Sequence, residues 1–146
     1  MEKDAKQKVI NYLSAHRYLN LATVSPDGTP LAHTVGYVSD GAVVHFVTDK
    51  KSRKAKNIMG NQSVAYTVDE DYTDLGSIKG IQMRGKAKLV TDSSVIENIL
   101  ERMAKKFPQM KEMPANPDYV FFRIEPEEAY FLDNTVNFGY RDHVVF

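Results

Sequence analysis

The sequence has no cysteine among its 146 residues, and this absence excludes several kinds of site. Without thiols there is no disulfide, no thiolate zinc site, no iron–sulfur cluster and no cysteine nucleophile. Stability must then come from a hydrophobic core, and a single domain over residues 1–146 is large enough to form one. The lack of cysteine also fits a reducing compartment, so we expect a cytoplasmic protein.

Long apolar runs and an excess of charge of either sign are also missing. No run is long enough to cross a bilayer, and the charged N-terminal segment MEKDAKQK is unlike a secretory signal. Nineteen basic residues balance nineteen acidic ones, so the whole molecule has no field that attracts nucleic acid or an anionic membrane. We therefore expect neither of these as a partner.

Recognisable catalytic and nucleotide-binding motifs are absent as well. The sequence has no G-x-S-x-G turn, no Walker loop and no G-x-G-x-x-G. The four histidines, His16, His33, His45 and His143, are far apart and form no H-x-x-x-H or H-x-H pair. We therefore expect no metal site, and no residue is assigned as catalytic.

Short β-prone segments separated by turn signals dominate what is present. Residues 18–25, 30–38 and 42–48 are joined by the turns SPDG and SDG, which predicts an antiparallel meander. Four more strands are predicted, at residues 63–68, 81–89, 119–125 and 129–133, with Pro126 separating the last two. The tail from residue 134 onward is given no secondary structure.

Three predicted helices interrupt these strands singly. They cover residues 2–16, a segment capped by Ser52, and a segment in which Ser94 and Glu97 form a capping-box pattern. Because no regular alternation of strand and helix is present, a doubly wound sheet is disfavoured. The pattern predicts a mainly β fold, a closed or nearly closed antiparallel barrel of six to seven strands with helices outside.

A cluster of cations lies where the third predicted strand runs into the second helix. It consists of Lys50, Lys51, Arg53, Lys54 and Lys56, with Asp49 as the nearby acid. Cations at a helix N-terminus are repelled by the helix dipole, so the arrangement favours a bound anion. A phosphate held by the helix amides, the Thr48 and Ser52 hydroxyls, and Arg53 and Lys54 would turn this repulsion into attraction. The alternative is a solvated cationic surface that binds nothing.

The segment HFVTDKKSRKAKNI resembles the phosphate-binding signature of the pyridoxamine 5′-phosphate oxidase-like family of FMN-binding split barrels. The segments GTPLAHTVGYVSDGAVVHFVT, NQSVAYTV and GIQMRGKAKLVTD are similar to strands of that family in order and spacing. The resemblance covers roughly residues 8 to 133. It implies an antiparallel split β-barrel of six to seven strands that forms a homodimer, with FMN held at the subunit interface.

The resemblance also implies which residues contact the flavin. Thr48, Ser52, Arg53 and Lys54 match the family's phosphate site, and Val47, which precedes Thr48 on the predicted strand, is also assigned to the cofactor site. The residues expected along the flavin ring are His33, Thr34, Val35 and Gly36, with Gln82 near a position that reaches the flavin. The tail around Tyr140 and Arg141 is a further candidate for contact with the flavin of the partner subunit.

Departures from the family pattern concern the reaction. His33 and Val38 stand where the vitamin B6 oxidase has an arginine and a substrate-binding lysine. The segment ERMAKKFPQM lacks that enzyme's substrate-phosphate residues, and NFGYRDHVVF lacks its arginine–histidine motif. The expected function is thus an FMN-dependent oxidoreductase, a flavoprotein with NAD(P)H as a possible electron donor. A non-catalytic flavin-storing or redox-sensing protein, and a barrel that binds haem or F420 instead of FMN, are the alternatives.

Overall fold

The computed structural model describes residues 2–146, which form one curled β-sheet with helices packed against it. In chain order the elements are α1 (Glu2–Ala15), β1 (Tyr18–Val24), β2 (Pro30–Gly36), β3 (Val38–Asp40), β4 (Val43–Asp49), α2 (Arg53–Gly60), β5 (Ser63–Asp69), β6 (Lys79–Val90), α3 (Ser93–Lys106), β7 (Tyr119–Asp133) and β8 (Arg141–Val145). Two short 3₁₀ turns cover Leu75–Ser77 and Pro108–Glu112. Within residues 2–146, no helix is both long enough and apolar enough to cross a membrane.

The strands form an antiparallel sheet in the order β2-β1-β5-β6-β7-β4-β3, with β8 also paired to β7. The sheet curls so that β2 approaches β4, although no hydrogen-bonded ladder joins them. The predicted fold class, a mainly β antiparallel split barrel with flanking helices, is confirmed. Eight strands are present in the described residues, because the predicted strand 30–38 is divided into β2 and β3, the strands predicted at 119–125 and 129–133 form the single β7, and the C-terminal tail adds β8.

The predicted meander is wrong at its third strand. β1 and β2 form the expected hairpin, but β4 pairs with β3 and β7 instead of β2. Only Tyr37 separates β2 from β3, and its buried hydroxyl donates to the carbonyl of Leu13 at 2.7 Å. The chain therefore passes from one edge of the sheet to the other at Tyr37, and the predicted strand 30–38 is divided there.

The predicted break at Pro126 is also wrong, because β7 runs without interruption through it. β6 pairs with both halves of β7, and its register shifts between Arg84 and Gly85. On its other side, β7 pairs first with β4 and then with β8, with Pro126 between the two pairings. Proline lacks a backbone N–H, and none is needed at this irregularity. Gly85 allows the close approach, since a Cβ there would overlap the carbonyl oxygen of Glu125.

The N-terminus of α3 corrects a third expectation. Its N-cap is Asp92 and not Ser94, because the Asp92 carboxylate accepts from the backbone amides of Ser94 at 2.9 Å and Val95 at 3.4 Å. Asparagine, aspartate and serine are equally good caps, and here the carboxylate lies two positions closer to the preceding strand. The helix therefore begins two residues earlier than the capping-box pattern predicts.

Two apolar clusters lie on the two faces of the sheet. The larger one fills the curled interior, where α1 contributes Ala5, Val9 and Leu13. The smaller one lies between the sheet and α3 and contains Val38, Ile99, Met103, Phe107 and Phe121. Successive side chains of β4 supply both clusters, since strand residues alternate between faces.

Candidate functional site

The junction between β4 and α2 positions two of the predicted side chains at the start of a helix. The Ser52 hydroxyl accepts from the Ala55 amide at 3.3 Å and so caps α2. Thr48, on the inward face of β4, places its hydroxyl oxygen 3.2 Å from that of Ser52. The amides of Arg53 and Lys54 have no hydrogen-bond partner among residues 2–146. Two hydroxyls and two free amides therefore meet at this helix N-terminus.

The cations of this segment divide into two groups. Lys50 and Lys51 form ion pairs with Asp118, at 3.3 Å and 3.0 Å. Hydrogen bonds from Lys51 and Lys50 hold the pKa of the Asp118 carboxyl below its usual value. Arg53, Lys54 and Lys56 have no acidic partner in the described part of the chain. The unpaired positive charge of the cluster thus lies on α2, with Arg53 and Lys54 in its first turn.

His33 connects β2 to this junction. Its ring nitrogen Nε2 lies 3.5 Å from the Thr23 hydroxyl, which accepts a hydrogen bond from the Asn57 amide at 3.1 Å. Burial first, and then the charges of Lys54 and Arg53, lower the pKa of His33. The imidazole is therefore neutral at pH 7, and it lies within electrostatic reach of both cations.

These contacts join three elements into one site, which we call the cation corner: His33, Thr48, Ser52, Arg53 and Lys54. The structure thus brings together five of the residues predicted from the sequence. It adds Thr23 and Asn57, which are only 1% and 7% exposed and which sequence reasoning missed. The available signal was a polar residue on an apolar face: Thr23 continues the inward pattern of β1, and Asn57 lies between buried residues of α2.

The other predicted residues lie elsewhere. Val35 is buried in the interior cluster, and Gly36 and Val47 line a cavity of about 610 Å³ beneath α3, the α3 cavity. Thr34 faces the outer side of the sheet, where its hydroxyl lies 3.5 Å from the Asn20 side-chain oxygen. Gln82 is on the outer side of β6, three strands from β2. A single chain therefore does not bring Gln82 to the cation corner.

The outer face around Gln82 is shallow and exposed. Strand register aligns five residues across it, Thr34, Asn20, Thr67, Gln82 and Tyr130. Three alanines, Ala32, Ala22 and Ala65, form the neighbouring row. Gln82, Ala22 and Ala65 line a cavity of about 480 Å³ on this face. Because the alanine side chains are small, another flat surface could pack closely against this part of the sheet.

The C-terminal candidates lie on β8 and just before it. The Tyr140 hydroxyl donates to the Asp142 carboxylate at 3.0 Å, and Arg141 lies over the Tyr130 ring. Both residues contact their own chain, so a role toward a partner subunit stays a prediction. Within residues 2–146, no group of three or more potential ligands is placed to hold a metal ion.

Comparison with known proteins places this geometry in context. The family described as pyridoxamine 5′-phosphate oxidase matches residues 5–133 of the chain. General stress protein 26 of Bacillus subtilis is 28% identical over 132 residues, which cover 90% of this chain and 91% of that protein.

Two solved structures share the fold. General Stress Protein 26 from Bacillus anthracis has a TM-score of 0.72 at 21% identity, covering 97% of this chain and 98% of that one. HutZ, the haem storage protein from Vibrio cholerae, has a TM-score of 0.73 at 21% identity, covering 84% of this chain and 90% of that one. At these identities the likeness extends to the fold alone.

Proposed function

The chain belongs to the pyridoxamine 5′-phosphate oxidase family, and from this premise we propose that it is an FMN-binding flavoprotein that acts as an oxidoreductase. The proposal rests chiefly on one observation: Arg53 and Lys54 are unpaired at the N-terminus of α2, whereas the neighbouring Lys50 and Lys51 are both paired with Asp118. An uncompensated pair of cations beside free helix amides is suited to a phosphate dianion.

The residues of the cation corner fit the phosphate of FMN by charge and by hydrogen-bonding type. Arg53 and Lys54 supply charge-assisted hydrogen bonds, and their backbone amides add two further donors. The Thr48 and Ser52 hydroxyls lie beside them at the end of β4. His33, neutral because of burial and the two cations, gains a proton more readily once an anion offsets those charges.

The flavin ring would lie along β2 and β4, where Gly36 and Val47 open toward the α3 cavity. FMN when bound supplies the hydride chemistry, while the protein supplies position and electrostatics. Hydride transfer needs no acid or base from the chain, so we assign no catalytic residue. A reduced nicotinamide is the proposed electron donor.

A homodimer with FMN at the interface would give Gln82 a role that one chain cannot give it. Gln82 lies on the shallow outer face with its row of alanines, three strands from β2. We propose that this face meets a second copy, and that any contact between Gln82 and the flavin comes from that copy. Sedimentation at micromolar concentration should report a dimer, and a stable monomer would exclude this arrangement.

Oxidation of a vitamin B6 phosphate is not the proposed reaction. Residues 101–110, where the resemblance expects substrate-phosphate contacts, form the end of α3 and the start of the following 3₁₀ turn. The part of this segment that lines the α3 cavity carries no charge. A phosphorylated substrate would therefore find no partner there.

Haem binding is the second candidate, favoured by the likeness of the fold to a haem storage protein. The histidines of this chain offer little support for it. His16, His33 and His143 each have a side-chain or backbone partner, and both ring nitrogens of His45 are sealed from solvent. The visible spectrum of the purified protein distinguishes the two, because haem gives a Soret band whereas FMN absorbs in the blue.

A titration with FMN tests the cation corner directly. In the double variant Arg53→Ala/Lys54→Ala, the loss of two charge-assisted contacts of about 1.5–3 kcal/mol each should weaken FMN binding at least about 100-fold. The matched control Lys50→Ala/Lys51→Ala removes the same charge from cations already paired with Asp118 and should change binding far less.

Riboflavin, which lacks the phosphate, gives the complementary control. Its affinity should be nearly the same for the wild type and for the Arg53→Ala/Lys54→Ala variant. Equal FMN affinity of the wild type and this variant, with both folded by circular dichroism, would refute the phosphate site.

A further inference from the structure

The α3 cavity has the size and composition of a small-molecule site. Its volume of about 610 Å³ lies within the range of about 300–1,000 Å³ that is usual for such sites. Its walls are α3, the 3₁₀ turn Pro108–Glu112 and the segment that follows, and parts of β4 and β7. No aspartate, glutamate, lysine, arginine or histidine lines it.

Aromatic rings and methionines make up much of the lining. Phe107 and Phe121 are 5% and 8% exposed, and the Phe107 ring lies 5.6 Å from that of Tyr18. A Cβ at Gly36 would stand 3.0 Å from the Phe107 ring, so glycine allows this ring to pack against β2. Flat aromatic surfaces favour a planar ligand.

Three methionines, Met103, Met110 and Met113, line the same cavity. Methionine side chains are flexible and polarisable, so walls made of them adapt to rings of different outline. Leu100 also lines this cavity and is 41% exposed, so it lies at the open side. The helix α3 thus has an apolar face that its own chain covers incompletely.

Two charged residues of α3 next to the lining residues are engaged elsewhere. The Arg102 guanidinium donates to the carbonyl of Ser39, and the Lys106 ammonium lies 3.9 Å above the Tyr37 ring. The Asn116 side-chain nitrogen donates to the Asp49 carboxylate at 3.4 Å, and its side-chain oxygen accepts from the Asp118 backbone amide at 2.8 Å. A charged ligand entering this cavity would lose its water without gaining a partner.

From this lining we infer that the α3 cavity binds an uncharged, planar, apolar ring compound of the size and polarity of a small quinone. The binding site stands on the cavity alone. Only its link to the flavin, through the shared residues Gly36 and Val47, rests on the proposed function. With that link, the occupant is the apolar redox partner of the flavin.

Calorimetric titration with a matched pair of probes tests the inference. The probes are neutral 2-methyl-1,4-naphthoquinone and anionic 1,4-naphthoquinone-2-sulfonate, and the chain has no cysteine thiol to add to either. The neutral quinone should bind saturably with one site per chain. The sulfonate should bind at least about tenfold more weakly, because its charge has no partner in the cavity.

Variants with a carboxylate locate the site. Leu100→Asp and, from the opposite wall, Met113→Asp should each weaken neutral quinone binding at least about tenfold, since both bring an unpaired charge to the cavity. Both positions are partly exposed, at 41% and 52%, so at least one variant is expected to fold. The control Asn98→Asp adds the same charge on an exposed part of α3 and should leave binding within about twofold.

FMN titrations of the same variants separate this inference from the proposed function. Unchanged FMN affinity together with weakened quinone binding supports the cavity as a separate site. Loss of FMN affinity in Leu100→Asp would mean that the flavin ring itself fills the cavity and would overturn the inference. Absence of saturable quinone binding, or equal binding of the sulfonate, would also overturn it. A protein that binds the quinone but no FMN would contradict only the proposed function.

Discussion

The cation corner and the α3 cavity contain neighbouring residues of the same strand, β4. Thr48 faces inward and lies beside the Ser52 hydroxyl at the N-terminus of α2. Val47 faces α3 and lines a cavity with methionines and aromatic rings. The first region concentrates positive charge, whereas no charged residue lines the second. The alternation of a β-strand therefore places two sites of opposite character within one residue of each other.

The two regions also differ in what stabilises them. The cluster under α3 depends on the fit of apolar side chains, and its polar atoms are few. The corner depends on a chain of hydrogen bonds from Asn57 through Thr23 to His33. Substitutions should therefore affect the two regions by different mechanisms and to different extents.

Phe107→Ala should have the largest effect on stability. Removal of a ring that is 95% buried leaves a void beside Gly36, and such substitutions typically cost about 3–5 kcal/mol of unfolding free energy. Phe138→Ala, at a position that is 75% exposed, is the matched control and should cost less than about 0.5 kcal/mol. Urea denaturation measures both, and equal losses would show that the cluster under α3 contributes little to the fold.

Asn57→Leu should have a smaller effect and reveal coupling in the corner. Loss of its hydrogen bond leaves the buried Thr23 hydroxyl without a donor, at a cost of about 1–3 kcal/mol of unfolding free energy. Thr23→Val/Asn57→Leu removes both partners and should cost less than the sum of the single substitutions. Strictly additive losses in this double-mutant cycle would contradict a coupled network.

The smallest expected effect is a shift in the pKa of His33 when the charges of the cation corner are removed. Since its folded pKa lies below the ordinary value of about 6.5, its contribution to stability is present above that pH and is lost as the pH falls toward the folded value. Arg53→Ala/Lys54→Ala should raise this pKa, but not fully to the ordinary value because burial remains. Lys50→Ala/Lys51→Ala should leave it unchanged, and NMR titration of the ring measures all three proteins. An equal His33 pKa in the two variants would show that the charges of Arg53 and Lys54 do not act on His33.

The elements that the sequence predicts well are those with strong local patterns. The helix predicted at residues 2–16, the Ser52 cap of α2 and the strand predicted at residues 81–89 are all present. The wrong assignments share a different cause. The predicted meander was wrong at Tyr37, and the predicted strand break was wrong at Pro126. Both depend on which distant strand pairs with the segment.

The candidate site follows the same division. The cation cluster and its two hydroxyls are adjacent in sequence, so their meeting at a helix N-terminus could be predicted. Asp118, which pairs with two of the five cations, lies more than sixty residues away and could not be assigned. Thr23 and Asn57 were missed because an isolated polar residue on an apolar face does not reveal its partner.

The sequence by itself determined the strand alternation, the helix faces and the concentration of positive charge at the start of α2. These properties depend on side chains a few residues apart, whose relative positions the backbone fixes locally. Only the tertiary structure decided which cations stay unpaired, and that α3 and the turn after it close over Gly36 and Val47. Both outcomes depend on contacts between distant segments, which arise from the packing of the whole chain and not from local geometry.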